Sequence, residues 1–287
     1  MTRAFETCDV FTTTRFGGNP LAVVFEAAGL DGVAMQAIAR EFNLSETVFV
    51  TAGDAAAATA AIRIFTPGME LPFAGHPNVG AAVLLARRLG IAGDAMALDQ
   101  KAGRVIAALR RDASGLFTGA TITAPVAFTQ GDALDGAAMA ACVGLSEPLQ
   151  DATIASCGTP FALAEVADAA MLAAAAPDEA AFRRHLPTSR AIGLHLFCRI
   201  APGRLRTRMF APLVGVVEDP ATGAANVALA GLLLARDGGA GLSLDVEQGM
   251  EMGRPSLLRL SAWRDAMGIR VSVGGEVVPF SAGRLLA

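Results

Sequence analysis

The 287-residue chain has no tyrosine and one tryptophan, Trp263, so its aromatic contacts fall to 15 phenylalanines. Its four cysteines, Cys8, Cys142, Cys157 and Cys198, are far apart, with no Cys-x-x-Cys pair and no histidine at ligand spacing. That pattern excludes a structural zinc centre and predicts reduced thiols, packed as small apolar groups, in a cytoplasmic protein. Charged residues make up 17% of the chain and the net charge is −4, which leaves nothing to attract DNA or RNA. Long apolar runs are also missing. The longest, residues 227–235, is about half of what a bilayer span requires, so no membrane partner is expected. The amino-terminal stretch MTRAFETCDVF lacks the apolar core of a secretory signal. No Gly-x-Gly-x-x-Gly follows a strand and no P-loop occurs, so nucleotide cofactors find no support.

What is present is a hydrophobic fraction of 53%, much of it alanine, in a chain long enough for one large or two ordinary domains. No segment is low-complexity enough to serve as a linker. Alternating or β-rich stretches predict strands over 3–11, 19–26, 46–52, 60–67, 104–111, 118–128, 191–201 and 205–212. Residues 151–168 read as two strands about Gly158, and the chain from Leu257 carries two or three more. Helical spacing appears over 32–43, with Val33, Met35, Ile38 and Phe42 as candidate core positions, and over 132–144 and 177–187.

One pattern occurs twice. Arg63-Ile64-Phe65-Thr66-Pro67 is echoed by Arg208-Met209-Phe210-Ala211-Pro212. Each copy is followed by a [His/Asp]-Pro-x-x-Gly turn and an apolar helix. The first turn starts at His76-Pro77, the second, 143 residues later, at Asp219-Pro220. Duplication of one α+β unit explains this, and the boundary is expected near 118/119, giving domains 1–118 and 119–287. Proline favours the first helical position, which would put Pro77 and Pro220 there and His76 and Asp219 at the N-caps. The first helix should end at Leu89 with Gly90 as its left-handed stop, the second near Asp237-Gly238. The second is apolar on all sides, so protein must wrap it all round, as a curved sheet would.

Unpaired N–H groups make each helix mouth an anion site, suited to a small carboxylate. Histidine is a poor N-cap, which favours proton chemistry for His76. Asp219 is as readily a plain cap. Glu46, at the start of an apolar strand, reads on its own as an edge charge. His185 and His195 have ordinary surroundings in the sequence.

The blocks FGGNPLAVV, NLSETVFV, RIFTPGMELPFAGHPNVGAA, SCGTPF and EDPATGAA resemble the signatures of the PhzF-like phenazine-biosynthesis isomerases, relatives of diaminopimelate epimerase and proline racemase. The resemblance implies two similar α+β domains, each a curved sheet around a central helix, with the active site between them. It implies a homodimeric biosynthetic isomerase or epimerase that uses no metal or organic cofactor. Glu46 would relay a proton on a small carboxylate, with His76 and Asp219 as its catalytic partners. Asn19, Gly75, Gly223 and Ala224 would line the substrate. Ala224 stands where the best-understood member has a serine whose hydroxyl would help hold its substrate. None of the four cysteines falls at a helix mouth, unlike the related racemases. A dehydratase or lyase, or a small-acid-binding protein without turnover, would use the same parts.

Overall fold

A computed structural model of the chain describes residues 2–286 and divides it into two compact units. One unit takes the chain up to Thr123 and again from Gly274 onward; the other is Ala124–Val273. The expected single break at 118/119 therefore needs correcting, because the last stretch of chain returns to the first unit. It does so along one strand, residues 268–285.

The first unit contains β1 (Arg3–Val10), β2 (Asn19–Val24), α1 (Gly32–Phe42), β3 (Glu46–Asp54), β4 (Thr59–Phe65) and β5 (Glu70–Leu71). It continues with α2 (Gly75–Leu89), β6 (Ala95–Gln100), β7 (Gly103–Arg111) and β8 (Phe117–Thr123). The second contains β9 (Thr129–Ala133), α3 (Gly136–Cys142), β10 (Gln150–Ser156), β11 (Pro160–Glu165), α4 (Ala169–Ala174) and α5 (Glu179–His185). Then come β12 (Leu194–Ala201), β13 (Arg204–Ala211), β14 (Val216–Asp219), α6 (Gly223–Asp237), β15 (Gly241–Gln248) and β16 (Ser256–Asp265). The final strand, β17 (Gly268–Leu285), starts in the second unit and finishes in the first.

In the first unit β1 pairs β2, β2 runs parallel to β3, and β3 pairs β4. β4 runs parallel to β6, and β6, β7 and β8 follow antiparallel. The later part of β17 joins both β8 and β1, running from Val10↔Val277 to Arg3↔Leu285, and so closes a ring of eight strands. The second unit repeats the order in β9, β10, β11, β12, β13, β15 and β16, with the β11–β12 and β13–β15 pairs parallel. Five strands, β5, β6, β9, β14 and β15, and the short helix α4 escape the sequence reading; the strands are very short or have their apolar positions broken by polar or acidic residues, and α4 is a six-residue stretch of mostly alanine.

Each sheet curls about one helix. α2 packs on β1, β2, β3, β6, β7 and β8, and α6 on β9, β10, β11, β15 and β16. Every residue of α2 from Gly75 to Ala86 is buried, as the wrapping argument requires. The approach is close at two glycines. A methyl group on Gly80 would stand 2.5 Å from Leu21 Cδ2, and one on Gly231 2.4 Å from Phe128 Cδ2. Both helices stop at left-handed glycines, Gly90 (φ 62°) and Gly238 (φ 73°). In α1, Met35 is buried as expected, but Val33 is 79% exposed because the helix rests its Met35–Ala39 face on the sheet.

All four cysteines are buried and unpaired with each other. Burial pushes Cys142 up to about 11 and Cys157 to about 12, so these thiols are unreactive packing groups. Among the described residues no helix is long and apolar enough to cross a membrane, and no three His, Cys, Asp or Glu side chains are grouped to hold a metal.

Candidate active site

In the first unit three neighbouring strands and helices bring Glu46 and His76 together. Glu46 opens β3 beside Leu21 of the parallel strand β2. His76 is the second residue of α2, and a ring N–H donates to the carbonyl of Pro20, also on β2. His76 Nε2 lies 3.3 Å from Glu46 Oε2, with the side chains only 5% and 16% exposed. Nε2 makes no aligned hydrogen bond among the described residues, so the Pro20 bond uses Nδ1.

That assignment has a chemical consequence. Burial pulls the His76 ring down to about 3, so it is neutral at pH 7. A neutral ring protonated at Nδ1 turns a lone pair toward Glu46. A proton on Glu46 Oε2 would let the neutral carboxyl donate to that lone pair.

Asn19, fully buried, opens β2 opposite Val10 and immediately precedes Pro20. Gly18 before it has φ 64°, and a methyl group there would sit 2.3 Å from Val10 O, so only glycine fits. Gly75 is the first helical residue, and its N–H belongs to the open end of α2.

The helix mouths differ from the expected caps. The N-cap of α2 is Ala74, which makes His76 the second and Pro77 the third helical residue. Proline is tolerated there because the first ladder bond runs from Asn78 N to Ala74 O, so Pro77 forfeits none. The N-cap of α6 is Thr222, and Asp219 instead ends β14, three residues earlier.

Asp219, in the second unit, is 8% exposed and sits in a buried polar network. Thr222 Oγ1 donates to Asp219 Oδ2 at 2.5 Å. Gln248 Nε2 donates to the Asp219 carbonyl at 2.8 Å and to Thr222 Oγ1 at 3.1 Å. Gln248 Oε1 accepts from Thr222 N at 3.1 Å and from Asn226 Nδ2 at 2.8 Å. His195, in ordinary surroundings by sequence, is fully buried with Nε2 3.2 Å from Asn226 Oδ1. His185 is the last residue of α5. Gly223 and Ala224 are the first two residues of α6, where unpaired N–H groups face outward from the helix end.

The duplication is real, but its register shifts. Gly75, Asn78, Gly90 and Gln100 correspond to Gly223, Asn226, Gly238 and Gln248, a step of 148 rather than 143. Glu70-Leu71-Pro72 then matches Glu218-Asp219-Pro220, and His76 matches Ala224. The ion pairs agree: Arg63 grips Glu70 at 2.8 and 2.9 Å, and Arg208 grips Glu218 at the same two distances. A 3₁₀ turn, Pro212–Val214, lengthens the second copy between strand and helix and displaces the motifs. The pairing of His76-Pro77 with Asp219-Pro220 was therefore a coincidence of spelling. Thr222, Asn226, Gln248 and Gln100 escaped the sequence reading, although the recurring Asn-Val, with glutamine 22 residues on, was the available signal.

A family model described as phenazine biosynthesis-like protein matches residues 8–283. An uncharacterized isomerase of Mesorhizobium japonicum is 38% identical, covering 99% of both chains. The trans-2,3-dihydro-3-hydroxyanthranilate isomerase of Pseudomonas chlororaphis is 36% identical, covering 97% of both. The crystal structure of a Bacillus anthracis phenazine biosynthesis protein of the PhzF family superposes with TM-score 0.87 over the full length of both chains, at 24% identity, and shows the same fold.

Proposed function

The chain belongs to the phenazine biosynthesis-like protein family, and we propose that it is a cofactor-independent isomerase moving a proton within a small carboxylate. The observation that carries the reading is the buried approach of His76 Nε2 to Glu46 Oε2 at 3.3 Å. Ionised, Glu46 takes a proton from carbon next to an electron-withdrawing group, and the C–H electron pair moves into the conjugated acid. Protonated, it donates to the lone pair of His76 Nε2, which steadies the acid form until the proton returns at a second carbon. A double bond shifts, and the molecular formula is unchanged. Because the ring stays neutral, His76 accepts this bond without pinning Glu46 as a permanently ion-paired, feeble base.

In the first unit Asn19 and the helix-end N–H of Gly75 are suited to a substrate carboxylate, and in the second Asp219 would orient the substrate and the helix-end N–H groups of Gly223 and Ala224 would suit a carboxylate. The substrate named for the Pseudomonas relative is such an acid. Ala224 offers no hydroxyl, which favours an acid with one polar group fewer at that point.

The test is a screen of small carboxylates, including trans-2,3-dihydro-3-hydroxyanthranilate, in deuterated water. Wild type should introduce label and yield a product of unchanged mass apart from it, whereas Glu46→Gln should be slower by about 10²–10⁴-fold. Equal labelling by both proteins would remove Glu46 from this role.

A further inference from the structure

We infer that Gln248 is a positioning residue for Asp219, acting through the hydroxyl of Thr222. The inference rests on the reading that Asp219 meets the substrate, and its test separates the two.

Gln248 is the last residue of β15 and is fully buried. Its amide orientation is dictated by its partners. The Asp219 carbonyl can only accept, so it requires Nε2; the Thr222 N–H can only donate, so it requires Oε1. Asn226 is dictated in the same way, since its Nδ2 donates both to the Thr222 carbonyl at 3.0 Å and to Gln248 Oε1. With Gln248 Nε2 donating to Thr222 Oγ1, the hydroxyl must send its own proton elsewhere. It goes to Asp219 Oδ2 at 2.5 Å. Gln248 thus does two things: it pins the backbone of the turn at Asp219, and it commits the Thr222 proton to the carboxylate. A free hydroxyl would divide its time among acceptors.

The molecule contains its own control. Gln100 ends β6 and bonds Asn78 in both directions, at 2.8 and 3.2 Å, with the same 22-residue separation. The positions matching Asp219 and Thr222 are Leu71 and Ala74, which carry neither carboxyl nor hydroxyl. One latch therefore serves the fold alone, and the other also sets a functional group.

The experiment compares full-length wild type, Gln248→Met, Gln100→Met, Thr222→Val and Asp219→Asn. The Asp219 carboxyl is titrated by ¹³C NMR, and turnover is followed on the acid found by the deuterium screen. Gln248→Met should raise the Asp219 midpoint by roughly half a unit or more, because the carboxylate loses a committed donor. Thr222→Val should raise it likewise, and adding Gln248→Met to Thr222→Val should raise it no further. Gln100→Met should leave it in place while lowering thermal stability. In turnover, Gln248→Met should reduce kcat about tenfold with KM little changed, as loss of one bond to a charged group predicts. An unmoved Asp219 midpoint in Gln248→Met, or an equal shift in Gln100→Met, would overturn the inference. If Gln248→Met fails to fold, absence of a shift in Thr222→Val does so instead. Wild-type turnover by Asp219→Asn would remove Asp219 from the proposed chemistry while leaving the titration result standing.

Discussion

Asn78 and Asn226 hold the same position in two helices: each side-chain amide donates to its own N-cap carbonyl, Ala74 at 2.8 Å and Thr222 at 3.0 Å. Both also reach a glutamine at the end of the following strand. A helix buried along its length cannot hydrate the carbonyl at its start, and the amide fills that oxygen's second acceptor site beside the ladder bond from Asn78 N or Asn226 N. The two units meet this need alike and differ in what surrounds it, which makes each a reference for the other.

The duplicated ion pairs give the first contrast. Arg208 is 8% exposed, donates to the carbonyls of Leu172, Ala173 and Ala175 as well as to Glu218, and stacks over Phe210. Arg63 is 34% exposed. Arg208→Met strands Glu218 and three carbonyls and should cost about 3–5 kcal/mol. Arg63→Met should cost about 0–1 kcal/mol. Urea unfolding of the two variants checks this, and equal losses would contradict it.

Gly231→Ala sets helix preference against space. Alanine is favoured over glycine by about 1 kcal/mol in a helix interior. Its methyl group would meet three atoms of Phe128, at 2.4, 2.7 and 2.9 Å, including the ring's own Cβ. Overpacking of that kind costs roughly 1–3 kcal/mol, so the variant should melt at a lower temperature than wild type. A rise in melting temperature would show that the ring moves freely.

Stability should fall as pH drops from 6.5 to 5. Burial lowers His76 to about 3 and His195 to about 4 in the folded chain, against 6.5 unfolded. In this window the unfolded chain binds protons that the native chain refuses, so acid favours unfolding. The slope is at most about 1.4 kcal/mol per pH unit for each ring. His195→Gln should flatten the profile measured by urea unfolding across that range; an unchanged slope would mean the buried ring is charged.

The two central helices could be read from the sequence because an apolar helix ending in glycine announces both its burial and its stop. Pro77 and Pro220 misled about the starts: Pro77 is the third residue of its helix, Pro220 lies two residues before the cap of α6, and the caps, Ala74 and Thr222, make no side-chain cap bond that the sequence could signal. Glu46 looked like an edge charge because its partner His76 lies 30 residues away, and only the packing of β2, β3 and α2 joins them. It was the resemblance to a family that singled it out. Gln248 was invisible for a similar reason: a glutamine at a strand end says nothing until the turn it holds is folded against it. The 3₁₀ turn at Pro212–Val214 shifted the repeat because matching letters carry no account of inserted length.

β17 imposes an order on biosynthesis. The ribosome delivers Glu46 and His76 early, yet the ring that frames them lacks its closing strand until Gly274–Leu285 emerges. The half translated first is thus finished last, and a nascent chain halted near residue 273 would carry a whole second unit with an unsealed first one, its β1 and β8 edges open to chaperones or to other chains.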